Sequence, residues 1–534
     1  MKTMKTNIFK QYIVLALAVL FLGAGCTKDF QDINTDPVAY GPSTFDPNYT
    51  LTTAQLTYTG SIDFSYDTWR GNLIYCSTMM QGLSTVVSYW AGDKYMLNEG
   101  YTSAYWGNGA VGAYIEQVRP IVDVVEFTKG QQKYSNVHQI ARIWKALIFA
   151  RITDLYGDVP YSQAGQGYYT SIFNPKYDSQ QAIYTDLLKE VDEATNALNA
   201  ANDKVTGDVI YKGDIEKWKR FGNSLLLRLA MRLVKADENI AKSYATKVIG
   251  KTMTSNADDA FLIHDTSGDR VTQNRNSQVL LGDGGQEHYY VKWSKTIIDL
   301  MKNTADPRLG KVAVTKLYLN DGLKTQNTNF DANPLVQKGM PNGKDLSAVA
   351  AQNISSDPAY TTIPDYSSPS PNMLKRNGVT FILTYAQTEL LLAEAAQRWA
   401  IGGSAATHYN NGIRAGITGL TPYDASMAIP AASADTYLLV NAFNPASALQ
   451  QINTQYWLQC NLQMDFYETW SNWRRTGFPA LTPVAYPGNA TGGTIPRRFP
   501  YPVEEAAKNG ANHQAASAAV PGGDKLTGRV WWDK

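Results

Sequence analysis

Cysteine is scarce in this chain: Cys26, Cys76 and Cys460 are the only three among 534 residues. So few, so far apart, exclude a disulfide scaffold and a cysteine-rich metal site. Cys76 and Cys460 read as buried free thiols, small hydrophobes in effect, with a single bridge between them as the alternative. Histidine is equally thin. His138, His264, His288, His408 and His513 are scattered, none in an H-x-x-x-H pair and none beside a cysteine, so a catalytic zinc is not expected. Neither a G-x-S-x-G elbow nor a P-loop occurs. Net charge is nearly absent, with Lys+Arg 48 against Asp+Glu 47. That balance excludes a phosphate-tracking nucleic-acid binder and a polybasic membrane patch. Long apolar runs are missing as well. The run from Tyr12 to Leu22 is about half the roughly 20 residues a spanning helix needs, and no later stretch reaches that length.

What surrounds that run gives it a meaning. Lys2, Lys5 and Lys10 precede it, and Gly23-Ala24-Gly25 and Cys26 follow. A charged start, a short apolar run and a small-residue zone make a secretory signal peptide. The cysteine just past the small residues resembles a bacterial lipobox, with Leu22 one place earlier than the leucine of that motif. The resemblance implies that Cys26 is lipidated and becomes the new N-terminus. Several acyl chains then hold the chain to a membrane, since one chain alone binds marginally. The expected organisation is a signal peptide at 1–25, a lipidated tether at 26–50 broken by Pro37, Pro42 and Pro47, and a single body at 51–534. Removing residues 1–25 takes three lysines and no acid, leaving a balance of −2.

Downstream the pattern is helical. Ile140, Ile143, Trp144, Leu147, Ile148, Ile152 and Leu155 recur at helical spacing and stop before Gly157 and Pro160. Asp178 with Gln181 resembles a capping box opening a second helix, Asp214 opens a third and Asp237 a fourth. Further helices are expected over 52–83, 380–399, 404–417 and 446–473. Each carries one apolar stripe, so each must pack on a neighbour. Helix pairs of this kind resemble tetratricopeptide units, here with an irregular period. Long polar loops lie between them at 264–290 and 320–378, and Leu317 to Leu323 reads as a small hairpin around an Asn/Asp-Gly turn. The fold class is thus mostly α: tetratricopeptide-like helix pairs as scaffold, with long loops and a small β-hairpin.

Aromatics are what the chain has in plenty: 33 Tyr and 12 Trp. Two stretches interleave them with polar groups. Gly82 to Tyr105 holds Tyr89, Trp90, Asp93, Lys94, Tyr95, Tyr101 and Tyr105; Asp269 to Trp293 holds Arg270, Arg275, Asn276, Tyr289, Tyr290 and Trp293. Sugar rings offer apolar C–H faces and hydroxyl rims, so flat rings can stack on them while carboxylates, amides and guanidinium groups bond the hydroxyls. Tyr89, Trp90, Asp93, Tyr95, Arg275, Asn276, Tyr290 and Trp293 are therefore the candidate ligand contacts; the alternative for each is a wedge between helices. Gly107, Gly109 and Gly112 have dinucleotide-loop spacing but follow no buried strand, and read instead as glycines that let helices approach. Trp470, Trp473, Arg474 and Arg475 read as core with surface-paired arginines. No pair of acids stands out for glycoside hydrolysis.

Several stretches together resemble one known family. They are Asp29-Phe30-Gln31-Asp32-Ile33-Asn34-Thr35-Asp36-Pro37, Ala141-Arg142-Ile143-Trp144-Lys145-Ala146, and Thr153-Asp154-Leu155-Tyr156-Gly157-Asp158-Val159-Pro160-Tyr161. Tyr211-Lys212-Gly213-Asp214, the run Trp218 to Leu225 and the run Leu227 to Arg232 follow. Ala393-Glu394-Ala395-Ala396, Trp473 to Gly477, and Ile495-Pro496-Arg497-Arg498-Phe499-Pro500-Tyr501-Pro502 complete the set. In order, over nearly the whole chain, they resemble the SusD/RagB outer-membrane lipoproteins of Bacteroidetes. The resemblance implies a SusD-like helical fold and an extracellular-facing nutrient binder on a SusC-like TonB-dependent β-barrel transporter. The matching stretches belong to the scaffold, so no ligand residue carries over by match. The expectation is a non-enzymatic cell-surface protein, without a cofactor, that binds an oligosaccharide and passes it to the barrel. The alternatives are peptide capture, a scaffold whose only ligand is the transporter, and a glycan-degrading enzyme.

Overall fold

The structure, a computed structural model, describes residues 45–62 and 66–534. The expected signal peptide, Cys26 and most of the tether lie outside the described residues. Pro47–Lys534 forms one compact unit. Its first helix, α1 (Pro47–Tyr58), starts inside the stretch expected as tether. A proline at the first helical position gives up only an N–H that has no intrahelical acceptor, so Pro47 starts a helix rather than breaking one. Thr68–Ser77 follows as a π-helix.

The next helices are α2 (Arg119–Thr128), α3 (Ser135–Tyr156), α4 (Gln180–Ala197), α5 (Ile215–Arg232) and α6 (Glu238–Val248). The apolar stripe read for α3 is buried throughout, from Ile140 to Leu155. Its Trp144 donates to the Ala54 carbonyl at 3.1 Å and meets Trp218 of α5 edge-on, tying three helices to one ring. Gly157 ends α3 at φ 87°, a conformation that only glycine adopts readily. Asp214 caps α5 and Asp237 caps α6, as expected. The cap of α4 is Ser179 rather than Asp178. Asp178 is drawn into a strand one residue earlier, where its carboxylate accepts the Ser162 amide at 2.7 Å.

A second set comprises α7 (Tyr385–Trp399), α8 (Ala405–Thr418), α9 (Ala448–Leu462) and α10 (Phe466–Thr476). Thr384 and Gln387 form a capping box on α7. The single helix expected over 446–473 is two: Met464 takes a left-handed φ of 58° and Asp465 caps α10. Helix α3 packs on α4, α4 on α5 and α5 on α6; α7 packs on α8, α9 and α5, and α9 on α10. This is the tetratricopeptide-like scaffold that the stripes called for.

The strands are short and all pair antiparallel: β1 (Leu83–Ser84) with β5 (Lys292–Trp293), β2 (Val159–Pro160) with β3 (Tyr177–Asp178), β4 (Ala260–Ile263) with β8 (Val379–Leu383), and β6 (Ala313–Val314) with β7 (Ser368–Pro369). The β8 residues were expected to begin α7. Val379 to Leu383 instead pair with β4 and are buried except for half-buried Thr380, which suits their branched and aromatic side chains. Asn320-Asp321-Gly322 does turn, but its flanks do not pair with each other. Thr315 bridges Asp331, and the Leu317 carbonyl accepts from Asn327 at 2.8 Å. Gly107 and Gly112 serve a local turn, not helix packing: a Cβ on Gly112 would fall 2.3 Å from the Gly107 Cα.

Cys76 and Cys460 are free and buried. Arg474 and Arg475 are buried too, where surface pairing was expected. Arg475 makes a two-pronged pair with Glu394, 2.7 Å on each arm, and Glu394 also takes Arg398 at 2.7 Å. No helix among the described residues is long and apolar enough to cross a membrane.

Candidate functional site

The two aromatic stretches, far apart in sequence, are one place in the fold. Strand β1 opens the first and β5 closes the second, with Leu83 opposite Trp293 and Ser84 opposite Lys292. The Ser294 amide extends the ladder to the Gly82 carbonyl at 2.9 Å. Gly82 has to be glycine: a Cβ there would lie 1.8 Å from Asn461 Oδ1.

Above this ladder lies an aromatic surface. Tyr89 is 38% exposed and donates its hydroxyl to Glu287. The half-buried Trp69, from the π-helix, meets Tyr89 edge-on with centroids 6.2 Å apart. Arg70 lies against Trp69 and Tyr101, 5.5 and 5.6 Å from their rings. Glu287 belongs to a one-turn helix, Glu287–Tyr290, that also carries Tyr289 and Tyr290, packed edge to face at 4.7 Å. Tyr290 donates to Asp321 Oδ2 at 3.0 Å, and Gln286 reaches the same oxygen at 3.4 Å. Tyr289, Tyr290 and Tyr360 rest together on a small apolar cluster of Val86, Met340, Ile354, Ile363 and Tyr366. Each carboxylate thus fixes one tyrosine hydroxyl and leaves the ring partly open to solvent. Burial and the Glu287 bond push the Tyr89 hydroxyl well above its ordinary pKa; burial, helped by Asp321, pushes Tyr290 up to about 12. Both hydroxyls remain protonated donors at neutral pH. Oε2 of Glu287 is buried without a hydrogen-bond partner, a spare acceptor beneath Tyr89.

Of the eight residues expected to touch a ligand, Tyr89 and Tyr290 are on this surface; the other six are inside the protein. Trp90 is fully buried. Asp93 accepts from Asn342 Nδ2 at 3.1 Å and the Gly343 amide at 2.9 Å, pinning the 340s loop. The Tyr95 hydroxyl accepts from the Val484 amide at 3.0 Å. Arg275 spends its guanidinium on backbone carbonyls, including Ser61 at 3.0 Å and Arg270 at 2.9 Å, and burial lowers its pKa to about 10. Asn276 accepts from Asn72 at 3.3 Å. Trp293 is fully buried and donates to the Val312 carbonyl at 2.9 Å. These six fasten the loops from below. The residues that the sequence did not single out are Trp69, Glu287, Asp321 and Tyr360. Trp69 hid in a stretch read as helix, and Asp321 in a turn. Among the described residues no group of three His, Cys, Asp or Glu side chains is placed to hold a metal ion.

The site is thus an open aromatic surface carried on long loops over a helical-pair scaffold. The profile of the SusD-like family described as "starch-binding associating with outer membrane" matches residues 46–502, and the chain belongs to that family. Solved structures agree. A "chitin-binding protein" is 32% identical with a TM-score of 0.77, over 92% of this chain and 100% of its own. A "Bacteroidetes AC2a SusD-like" protein is 24% identical with a TM-score of 0.78, over 92% and 100%. A "chitin-binding SusD homolog from Flavobacterium johnsoniae" is 23% identical with a TM-score of 0.72, over 91% and 98%. No curated protein matches the chain.

Proposed function

We propose that this chain captures an oligosaccharide at the outer membrane and passes it to a TonB-dependent β-barrel transporter, making and breaking no covalent bond. Acyl chains on Cys26 hold it to the membrane, on the side that faces the medium. The observation that carries the reading is the Tyr89–Tyr290 surface: one exposed and one half-buried ring, locked by Glu287 and Asp321 on loops sewn together by β1 and β5. Rings fixed in this way can stack on sugar faces without first losing freedom, and the surrounding Gln286, Arg70 and carboxylates can bond hydroxyl rims. Both carboxylates are engaged by tyrosine hydroxyls, an arrangement suited to holding rings rather than to transferring protons. The relative at 32% identity is a chitin-binding protein, which makes chitin oligosaccharides the first ligands to try.

The test is retention on glycol-chitin affinity gels together with calorimetric titration with chitohexaose. Tyr89→Ala and Tyr290→Ala should each weaken binding about tenfold, on the scale of one aromatic contact. Retention unchanged in both single variants and in the double variant would remove this surface from the site. Mild-detergent purification should recover a β-barrel protein with or without glycan.

A further inference from the structure

A second cavity, of about 350 Å³, lies where the end of the chain folds back on the scaffold. None of its lining residues belongs to the aromatic surface above. Two of the sequence stretches assigned to scaffold meet there: the one containing Tyr156, Gly157 and Asp158, and the one containing Arg498 and Tyr501. They are stitched by the Arg498 guanidinium donating to the Tyr156 carbonyl at 2.7 Å, and by the Tyr501 hydroxyl donating to the Asp158 carbonyl at 2.7 Å. Gly528 allows the final segment to close over them, since a Cβ there would fall 2.2 Å from the Gly523 carbonyl and 3.1 Å from Arg498 Cδ.

The chemistry of the lining is specific. Arg498 is completely buried, yet its Nε has no hydrogen-bond partner. Its other arms are spent on Asp524 and the Tyr156 carbonyl. With no accessible surface, this guanidinium builds the floor of the cavity rather than meeting its contents. Asp158 uses Oδ1 to accept the Gln180 amide at 2.8 Å, which leaves Oδ2 for a donor. Half-buried Trp531 supplies an aromatic wall. The charges nearly balance: Arg498 pairs with Asp524, Asp533 takes Arg497 and Arg529, and Asp158 and Lys534 add one charge of each sign. A free anion or a free cation gains little in such a place. A neutral polyol, with hydroxyls to donate to Asp158 and C–H faces to lie on Trp531, fits this lining. The volume is at the lower end of small-molecule sites, which run from roughly 300 to 1,000 Å³. Another cleft, about 420 Å³ around Gln81, Lys295 and Asn342, has no aromatic wall.

We infer that this cavity is a second carbohydrate site, sized for a mono- or disaccharide, in which Trp531 stacks on the ring while Asp158 Oδ2 accepts from its hydroxyls. It shares a ligand class with the proposed function but no residue, so either can fail alone. The probes are N,N′-diacetylchitobiose and maltose, titrated calorimetrically into the lipidated protein held in a sugar-free detergent. At least one should bind, and should bind equally well to the Tyr89→Ala/Tyr290→Ala double variant. Ala519→Trp, at an exposed lining position, fills the cavity; it should cut that binding at least tenfold while chitohexaose retention and the melting temperature hold. Gln181→Trp, at a second exposed lining position, fills it independently should Ala519→Trp fold poorly. Absence of binding by both disaccharides overturns the inference. So does disaccharide binding that survives the filling variants, or that disappears with Tyr89 and Tyr290.

Discussion

Lys292 carries its amine into the interior behind Tyr289, with Ser368 Oγ at 2.8 Å as its hydrogen-bond partner. Burial alone lowers its pKa to about 7, from an ordinary value near ~10.4. Between those two values the unfolded chain holds a proton that the folded chain does not, so stability rises with pH across the window. Lys292→Met should flatten that rise: melting temperatures of wild type and variant, compared from pH 7 to 10, should converge in favour of the wild type as pH increases. A parallel pair of curves would mean that the amine is better solvated than its burial implies. Glu394 has the opposite character. Burial raises its pKa, but Arg475 and Arg398 more than offset this and bring it to about 2. Its contribution is present above the unfolded value of about 4.3 and is lost as pH falls towards the folded one. Glu394→Gln leaves two guanidiniums facing a neutral amide in the interior and should cost about 3–5 kcal/mol in urea unfolding at pH 7. At this scale the sequence was only half legible. Tyr89 and Trp90 are neighbours with the same stacking chemistry, yet one faces solvent and the other is fully buried. Composition cannot distinguish them outside a regular element, because no period fixes which way each points. Arg475 was misread for a related reason: its buried partner Glu394 is 81 residues away.

Among the elements, local chemistry was readable wherever it was self-contained. Asp214 caps α5 through the Lys217 amide at 3.1 Å, a contact spanning three residues that the sequence displays in full. Asp214→Ala should cost about 1 kcal/mol, seen as a lower urea midpoint at unchanged slope. Where tertiary pairing competes with local propensity, the reading slipped. Asp178 went to a strand because Tyr177 and Pro160 pair, leaving the cap to Ser179. Val379 to Leu383 went to β8 because β4 waits beside it. The apolar period of α9 runs on into α10 without a signal, although the backbone turns at Met464. Two-residue strands such as β1 and β5 leave no periodic trace, so the ladder that unites the two aromatic stretches was invisible until they were placed in space.

On the scale of the whole molecule, the ordered set of family-like stretches implied the fold, and the family profile and the solved relatives agree with it. Helix pairs are built from contacts near in sequence, so their stripes announce them. The binding face is built from insertions between the pairs, and insertions follow no stripe. The proposed anchor belongs to this scale because it would act on the chain as one object. Cys26→Ala should move the protein from the membrane pellet to the soluble fraction and depress glycan uptake by intact cells, while chitohexaose affinity in vitro stays the same. Uptake that survives release from the membrane would argue against a fixed lid over a barrel.

The hydrogen bond from Tyr89 to Glu287 spans 198 residues of chain. Neither partner can find the other by local folding, and the intervening sequence holds helices α2 to α6. A molecule still emerging from the export machinery, or one clipped between the two stretches and separated, has every ring of the binding face and no binding face. On the proposed function, sugar retention is therefore a certificate of completed assembly: only molecules whose two distant stretches have met in register could take up cargo.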